Sequence, residues 1–173
     1  MSIEFGSICD FITAMAAAFG VGFSLITWRR NTKFEKAKSI KDFFREMYEA
    51  PDTVEVFRKI DYDKKWYGRK FHDSEFEGKV DKVFIRFTYF IDLLNEGCVD
   101  IKKSNWINYE IHRILSNHDT QAYLFNLRNF ANSRKLPFPY KSLVDYGKHI
   151  GILDETFFNV ELGEKKYVKI LNW

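Results

Sequence analysis

Eighteen consecutive residues without a charge, Phe11 to Trp28 (FITAMAAAFGVGFSLITW), constrain the fold of this chain more than any other feature. A helix of this length rises about 27 Å, close to the hydrocarbon thickness of a bilayer. Core helices of globular proteins are usually shorter and are rarely apolar on every face. The run therefore predicts a transmembrane helix over about residues 8–28, within an N-terminal anchor formed by residues 1–30.

The charges that flank this run predict how the helix is oriented. Residues 1–10 carry Glu4 and Asp10 and no Lys or Arg, unlike the basic start of a cleaved signal peptide. Because the basic residues follow the run, the positive-inside rule places the N-terminus outside and residues 29–173 in the cytoplasm. We therefore predict an uncleaved, single-pass protein of the bacterial inner (cytoplasmic) membrane. Five cations are expected to contact the headgroups of the lipid bilayer: Arg29, Arg30, Lys33, Lys36 and Lys38.

The two faces of the predicted span differ in side-chain size. Bulky apolar residues gather on one face, and small or hydroxyl residues lie on the other. In lipid, a face of small side chains lets helix backbones approach closely, and Ser or Thr can form hydrogen bonds across the contact. This face predicts packing against a second copy of the chain, as a homo-oligomer, or against another membrane protein. Its residues are Thr13, Ala16, Ala17, Gly20, Ser24 and Thr27.

Helical patterning continues after the apolar run. A basic juxtamembrane helix over residues 31–50 is expected to end near Glu49, before Pro51. In residues 51–173, capping-box pairs at Asp52/Glu55 and Ser74/Glu77 predict one helix to about residue 60 and another over 76–94. Residues 61–74 lack a period and are interpreted as a loop, and Gly97 is expected to stop the second helix. Further helices are predicted over about 103–117, 120–133 and 140–149.

The C-terminal residues show a different pattern. Phe158, Val160 and Leu162 alternate with polar residues, a turn-like Gly-Glu-Lys follows, and the alternation resumes in the last residues. Such alternation is typical of a β-hairpin, here over residues 156–172, whose edge could pair with another chain. The predicted fold class is therefore mainly α: a transmembrane helix that continues into a cytoplasmic helical bundle, with a small C-terminal β-hairpin.

The residues that carry enzyme chemistry form no familiar motif. The four His lie outside metal-ligand spacings, no phosphate-binding glycine loop is present, and Cys9 and Cys98 are too far apart for a Cys-x-x-Cys site. The sequence thus predicts no cofactor and no metal site. A formal charge of +3 is too small to indicate a nucleic-acid partner by itself.

Two local patterns suggest more specific roles. Arg113-Ile-Leu-Ser-Asn-His118 resembles the R-x-x-x-x-H motif of HEPN ribonucleases, which would make Arg113 and His118 catalytic; the polar residue usual after that Arg is here Ile114. On one continuous helix these side chains point about 140° apart, so the resemblance requires the helix to end near Asn117. The segment KKWYGRKFH predicts a protein contact through Trp66, Tyr67 and Arg69.

The overall plan and the central segment FTYFIDLLNEGCVD resemble a group of small bacterial proteins of unknown function with one N-terminal span. That resemblance implies no catalytic residues. Three hypotheses remain open. The first is a membrane-anchored interaction or scaffold protein that assembles through its span and its cytoplasmic domain. The second is a membrane-tethered HEPN-like ribonuclease, and the third is a membrane-perturbing effector of a bacterial self-killing or phage-defence system.

Overall fold

A computed structural model of the chain describes residues 5–62, 65–99 and 105–167; at residues 5–12, 14 and 16–18 only the backbone is described. The described chain is mainly α-helical and contains no β-strand. Its helices are α1 (Phe5–Glu49), α2 (Pro51–Tyr62), α3 (Glu75–Asn95), α4 (Asn105–Ser116), α5 (His118–Ser133), α6 (Lys141–His149) and α7 (Val160–Lys166). The chain divides into two compact units, residues 1–41 and 42–173, and α1 contributes to both.

The first unit corrects the predicted membrane anchor. Within the described parts of the chain, no helix is both long enough and apolar enough to cross a membrane. The prediction of a transmembrane helix over residues 8–28, and of a single-pass location in the bacterial inner membrane, is therefore wrong. The prediction rested on the length of the uncharged run and on its apolar faces, although Gly, Ser and Thr occupy five of its eighteen positions and Asp10 and Arg29 bound it. Predicted continuation of the helix to Glu49 is confirmed.

In the second unit, residues 42–173, α3 supplies the central apolar stripe. Its buried side chains recur at helical spacing, and α3 packs against both α2 and α6, while α4 packs against α5 and α6. This is the amphipathic helix that the spacing of three and four predicted. The last turns of α1 join the same core, since the Phe43 ring lies 4.6 Å from that of Phe90 between centroids. The buried stripe of α3 is Val80, Val83, Phe84, Phe87, Phe90 and Ile91.

The ends of α3 follow the predicted signals. Ser74 caps its N-terminus, where its side chain accepts a hydrogen bond from the Glu77 backbone N–H. The Glu77 carboxylate accepts from the Asp73 N–H at 2.8 Å rather than from Ser74, so only half of the predicted capping box forms. Gly97 adopts φ +70°, the left-handed conformation that ends helices at glycine. Asp52 lies inside α2, which begins at Pro51, so the first predicted capping box is wrong.

The predicted C-terminal β-hairpin is also wrong, because residues 160–166 form α7. Asn159 caps this helix by accepting a hydrogen bond from the Leu162 N–H at 3.1 Å. Val160 and Leu162, read as one face of a strand, are both exposed, whereas Gly163 and Tyr167, four residues apart, are buried. A spacing of four is helical, so burial follows a helical period rather than alternation. Residues 168–172 of the predicted hairpin lie outside the described residues.

Candidate self-association surface

An apolar stripe on α1 is exposed in the isolated chain. Phe19, Phe23 and Ile26 are spaced four and three residues apart, which places them on one face of a helix. Their exposed fractions are 70%, 73% and 68%. Together with Met15 and Gly22 they line a hollow of about 390 Å³. Large exposed apolar patches of this kind mark contact surfaces.

A second apolar stripe lies on the opposite face of the same helix. Val21, Leu25 and Trp28 repeat the spacing of four and three, and all are more than half exposed. Two residues along an α-helix correspond to a rotation of about 200°, so this stripe points away from the first. A helix that is apolar on opposite faces is normally covered on more than one side.

The small residues predicted to mediate packing lie between these stripes. Gly20, Ser24 and Thr27 are exposed, as is Thr13, and an added Cβ on Gly20 would meet nothing within 4 Å. The side chains of Ala16 and Ala17 are outside the described residues. With the span contradicted, packing of this face in lipid has no basis. Of the predicted headgroup-binding cations, Arg29, Arg30, Lys33 and Lys38 are exposed and Lys36 is half-buried.

The aromatic loop predicted as a protein contact faces the core instead. Trp66 and Tyr67 are each only 8% exposed, and their rings pack against Phe71 and Tyr123, so only Arg69 of the predicted contact is at the surface. The loop is fixed by the junction of α4 and α5. Asp119 there accepts hydrogen bonds from the Trp66 and Tyr67 backbone N–H groups at 2.5 and 2.9 Å. Across the same junction, the Asn117 side-chain oxygen accepts one from Trp66 Nε1 at 3.1 Å.

The helix does end where the HEPN resemblance requires, since α4 stops at Ser116 and α5 begins at His118. Arg113, however, is engaged in holding helices together. Its guanidinium makes two hydrogen bonds to the Asp61 carboxylate of α2 and one, at 2.9 Å, to Glu110. It also lies over the Phe57 ring, 4.6 Å from its centroid. His118 is exposed, and its ring packs edge-on against Tyr167. No observation assigns Arg113 a catalytic role.

Sequence reasoning missed the buried acid beside Arg113. Glu110 is 3% exposed and accepts hydrogen bonds from Tyr48 Oη and Arg113 Nη1. Burial, followed by the bond to Glu110, raises the pKa of the Tyr48 phenol, so the phenol remains a donor. The hydrogen bonds to Asp61 raise the pKa of the Arg113 guanidinium above its ordinary value, so the guanidinium stays charged. The sequence does contain a signal for this buried acid: Glu110 lies on the apolar stripe of α4 that Ile107, Ile111 and Ile114 form.

Comparison with protein-family models, with curated proteins and with solved structures finds no match to this chain. The predicted resemblance to small bacterial single-span proteins therefore stays untested. What remains for function is the geometry of the chain itself, above all the two uncovered stripes of α1.

Proposed function

We propose that this protein is an assembly module, a helical interaction protein whose copies associate through residues 11–28 of α1. The observation that supports this most directly is the exposure of Phe19, Phe23 and Ile26 around an apolar hollow. Water is a poor solvent for such a surface, and a second helix can insert a side chain into the hollow as a knob enters a hole. The bundle of residues 42–173 would then be displayed in several copies.

The charge distribution favours an antiparallel arrangement of two α1 helices. Residues 29–41 contain six cations and only one acidic residue, so a parallel pair would place two strongly basic segments side by side. An antiparallel pair centred between residues 19 and 20 separates these segments. It also brings Asp10 of one copy level with Arg29 of the other. Opposite charges at the same level stabilise a helix pair, and like charges destabilise it.

The area available argues for more than two copies. Complete burial of a Phe or Ile side chain contributes about 1.5–3 kcal/mol, and the three residues of the first stripe are about 70% exposed. One stripe thus supplies about 3–6 kcal/mol per chain, or about 6–12 kcal/mol in a dimer. Association costs about 4–15 kcal/mol, a range that overlaps this gain, so a dimer held by one stripe would be only marginally stable. A dimer would also leave the second stripe exposed, and burial of that stripe by further copies would add a similar gain.

Light scattering coupled to gel filtration, in buffer without detergent, tests the proposal. The wild-type chain should elute as an oligomer, and the Phe19→Ser/Phe23→Ser variant should shift toward the monomer mass. Tyr62→Ser/Tyr89→Ser is the matched control, because these rings are also exposed, at 79% and 63%, but lie on α2 and α3. A monomeric wild-type chain would refute the proposal, whether it remains free or sediments with anionic lipid vesicles. Equal dissociation of the control would refute it as well.

Disulfide trapping tests the orientation. In a Cys9→Ser/Cys98→Ser background, Phe19→Cys lies at the centre of the proposed pair and should form an intermolecular disulfide. Ile26→Cys lies seven residues further along α1 and should not, because its own counterpart in an antiparallel partner is about 20 Å away. Efficient trapping of Ile26→Cys would show a parallel pair and contradict the charge argument.

A further inference from the structure

A basic depression lies between the end of α2 and the loop that precedes α3. It has a volume of about 490 Å³. Four cations line it, one from α2 and three from the loop: Lys59, Lys65, Arg69 and Lys70. Aromatic side chains line the rest, and of these Trp66, Tyr67 and Phe71 are buried while Phe76 is half-buried. The depression thus combines a cationic rim with an apolar wall.

None of these four cations forms an ion pair with a carboxylate among the described residues. Two lysines of the neighbouring α3 do pair with acids of α2, Lys79 with Glu55 at 2.8 Å and Lys82 with Asp52 at 3.0 Å. Lys59 instead lies over the Phe76 ring, with Nζ 4.0 Å from the centroid. Four like charges placed around one hollow repel one another, and a bound anion would remove that repulsion.

The loop that carries three of the cations is held in place. Asp119 accepts two of its backbone N–H groups, Asn117 binds the Trp66 indole, and the Phe71 N–H donates to the Gly68 carbonyl at 2.9 Å to close a turn. The backbone N–H groups of Arg69 and Lys70, inside this turn, find no acceptor among the described residues. A fixed turn with free N–H groups and basic side chains is a favourable environment for phosphate oxygens.

We propose that this depression binds a nucleoside triphosphate, with its phosphates at the Lys59, Arg69 and Lys70 side and its base against Phe76, the half-buried ring of the aromatic lining. The volume lies within the range of small-molecule sites and is too small for an extended polymer. The four cations match the charge of about −4 that a triphosphate carries near neutral pH. A nucleic-acid strand fits less well, because successive bases need exposed rings for stacking and Trp66 and Tyr67 are buried.

Calorimetric titration of the full-length chain with ATP, in buffer without magnesium, tests this site. The wild-type chain should bind one ATP per chain with a saturable isotherm. Lys59→Gln/Arg69→Gln should weaken the affinity about tenfold, since it removes two partly exposed charge contacts. Melting curves without ligand should show at most a small loss of stability, because neither side chain makes an ion pair with a described residue and Lys59 loses only its contact with the Phe76 ring.

The matched control is Lys148→Gln/Arg134→Gln, which removes the same two charges elsewhere. Lys148 is half-buried over a Phe ring, as Lys59 is, and Arg134 is exposed, as Arg69 is. This variant should bind ATP with wild-type affinity, and an equal loss would reduce the binding to general electrostatic attraction. Tripolyphosphate, which lacks a base, should bind more weakly than ATP. Equal affinity for the two ligands, or no saturable binding of ATP, would overturn the proposal.

Discussion

Replacement of Arg113 by Met should destabilise the bundle, because it leaves a buried carboxylate without its cation. Glu110 is 4% exposed at its side chain and, among the described residues, would retain Tyr48 as its hydrogen-bond donor, while Asp61 on α2 would lose its guanidinium. Met keeps the aliphatic stem of Arg113 but not the guanidinium, so the change removes the ion pairs together with the cation–π contact on Phe57. The change therefore isolates the contacts that join α2 to α4.

The size of the effect follows from burial. Removal of one partner from a buried ion pair costs about 3–5 kcal/mol. The Arg113 side chain is 23% exposed and Asp61 is 28% exposed, so water screens part of the interaction and the lower end applies. A loss of about 3 kcal/mol should lower the melting temperature of a chain of this size by about 6–12 °C. Addition of Glu110→Gln to Arg113→Met should restore at least about 1 kcal/mol, because the stranded charge disappears.

Thermal and urea unfolding curves, recorded by circular dichroism, measure these differences in the free energy of unfolding. Lys141→Met is the control: it breaks an ion pair with Asp145 whose side chains are 76% and 51% exposed, and such a surface pair contributes about 0–1 kcal/mol. If Arg113→Met unfolds no earlier than Lys141→Met, the structural role assigned to Arg113 is wrong. If the Glu110→Gln addition destabilises the chain further, the buried charge is not the cause of the loss.

Other perturbations test separate contacts. Gly163→Ala should detach α7 and lower the free energy of unfolding by about 1–3 kcal/mol, because an added Cβ would lie 2.0 Å from the Phe125 ring. The control Gly78→Ala has open space around the added Cβ and should be neutral or stabilising. Unfolding curves of the two variants measure the difference. Asp119→Ala removes the acceptor of the Trp66 backbone N–H, so the loop before α3 should loosen and the fluorescence of Trp66 should shift to the red. Unchanged emission would contradict the role of Asp119 in fixing the loop. Burial raises the pKa of several phenols, and three of these are almost fully buried, so the folded chain keeps protons that the unfolded chain releases above about pH 10. Stability should be full below that pH and should fall as the pH rises further. The three phenols are those of Tyr67, Tyr123 and Tyr140. If their phenolate absorbance develops only as helicity is lost, the predicted fall in stability at high pH is confirmed.

Local patterns predicted the helices of this chain well because helix formation depends on neighbours three and four residues apart. The stripe of α3, its Ser74 cap and its Gly97 stop could all be read from adjacent residues. The same local reasoning failed at residues 160–166, where a short apolar alternation fits a strand and a helix equally. Tertiary packing accompanies the helical conformation here, since Gly163 lies directly against the Phe125 ring.

The candidate sites were harder to predict because their partners are far apart in sequence. Arg113 meets Asp61 across 52 residues, and Trp66 meets Asp119 across 53. A basic, aromatic loop therefore looked like a surface for partners, although its rings enter the core and only its cations remain outside. The apolar run of α1 was predicted to contact another chain as well as lipid, but through its small residues, whereas the bulky residues Phe19, Phe23 and Ile26 are the ones that line the exposed hollow.

The distribution of charge links the two proposals. Across the bundle, several helix cations have carboxylate partners on a neighbouring helix, as Lys79, Lys82 and Arg113 do, and such pairs serve stability. Excess positive charge gathers in two short segments, residues 29–41 and 59–70, and each adjoins an apolar surface. Folding alone gives no reason to gather unbalanced charge in short segments, because like charges repel one another and lower stability. The two proposals give each segment a reason: the first would adjoin an antiparallel copy, and the second would bind a phosphate-bearing ligand.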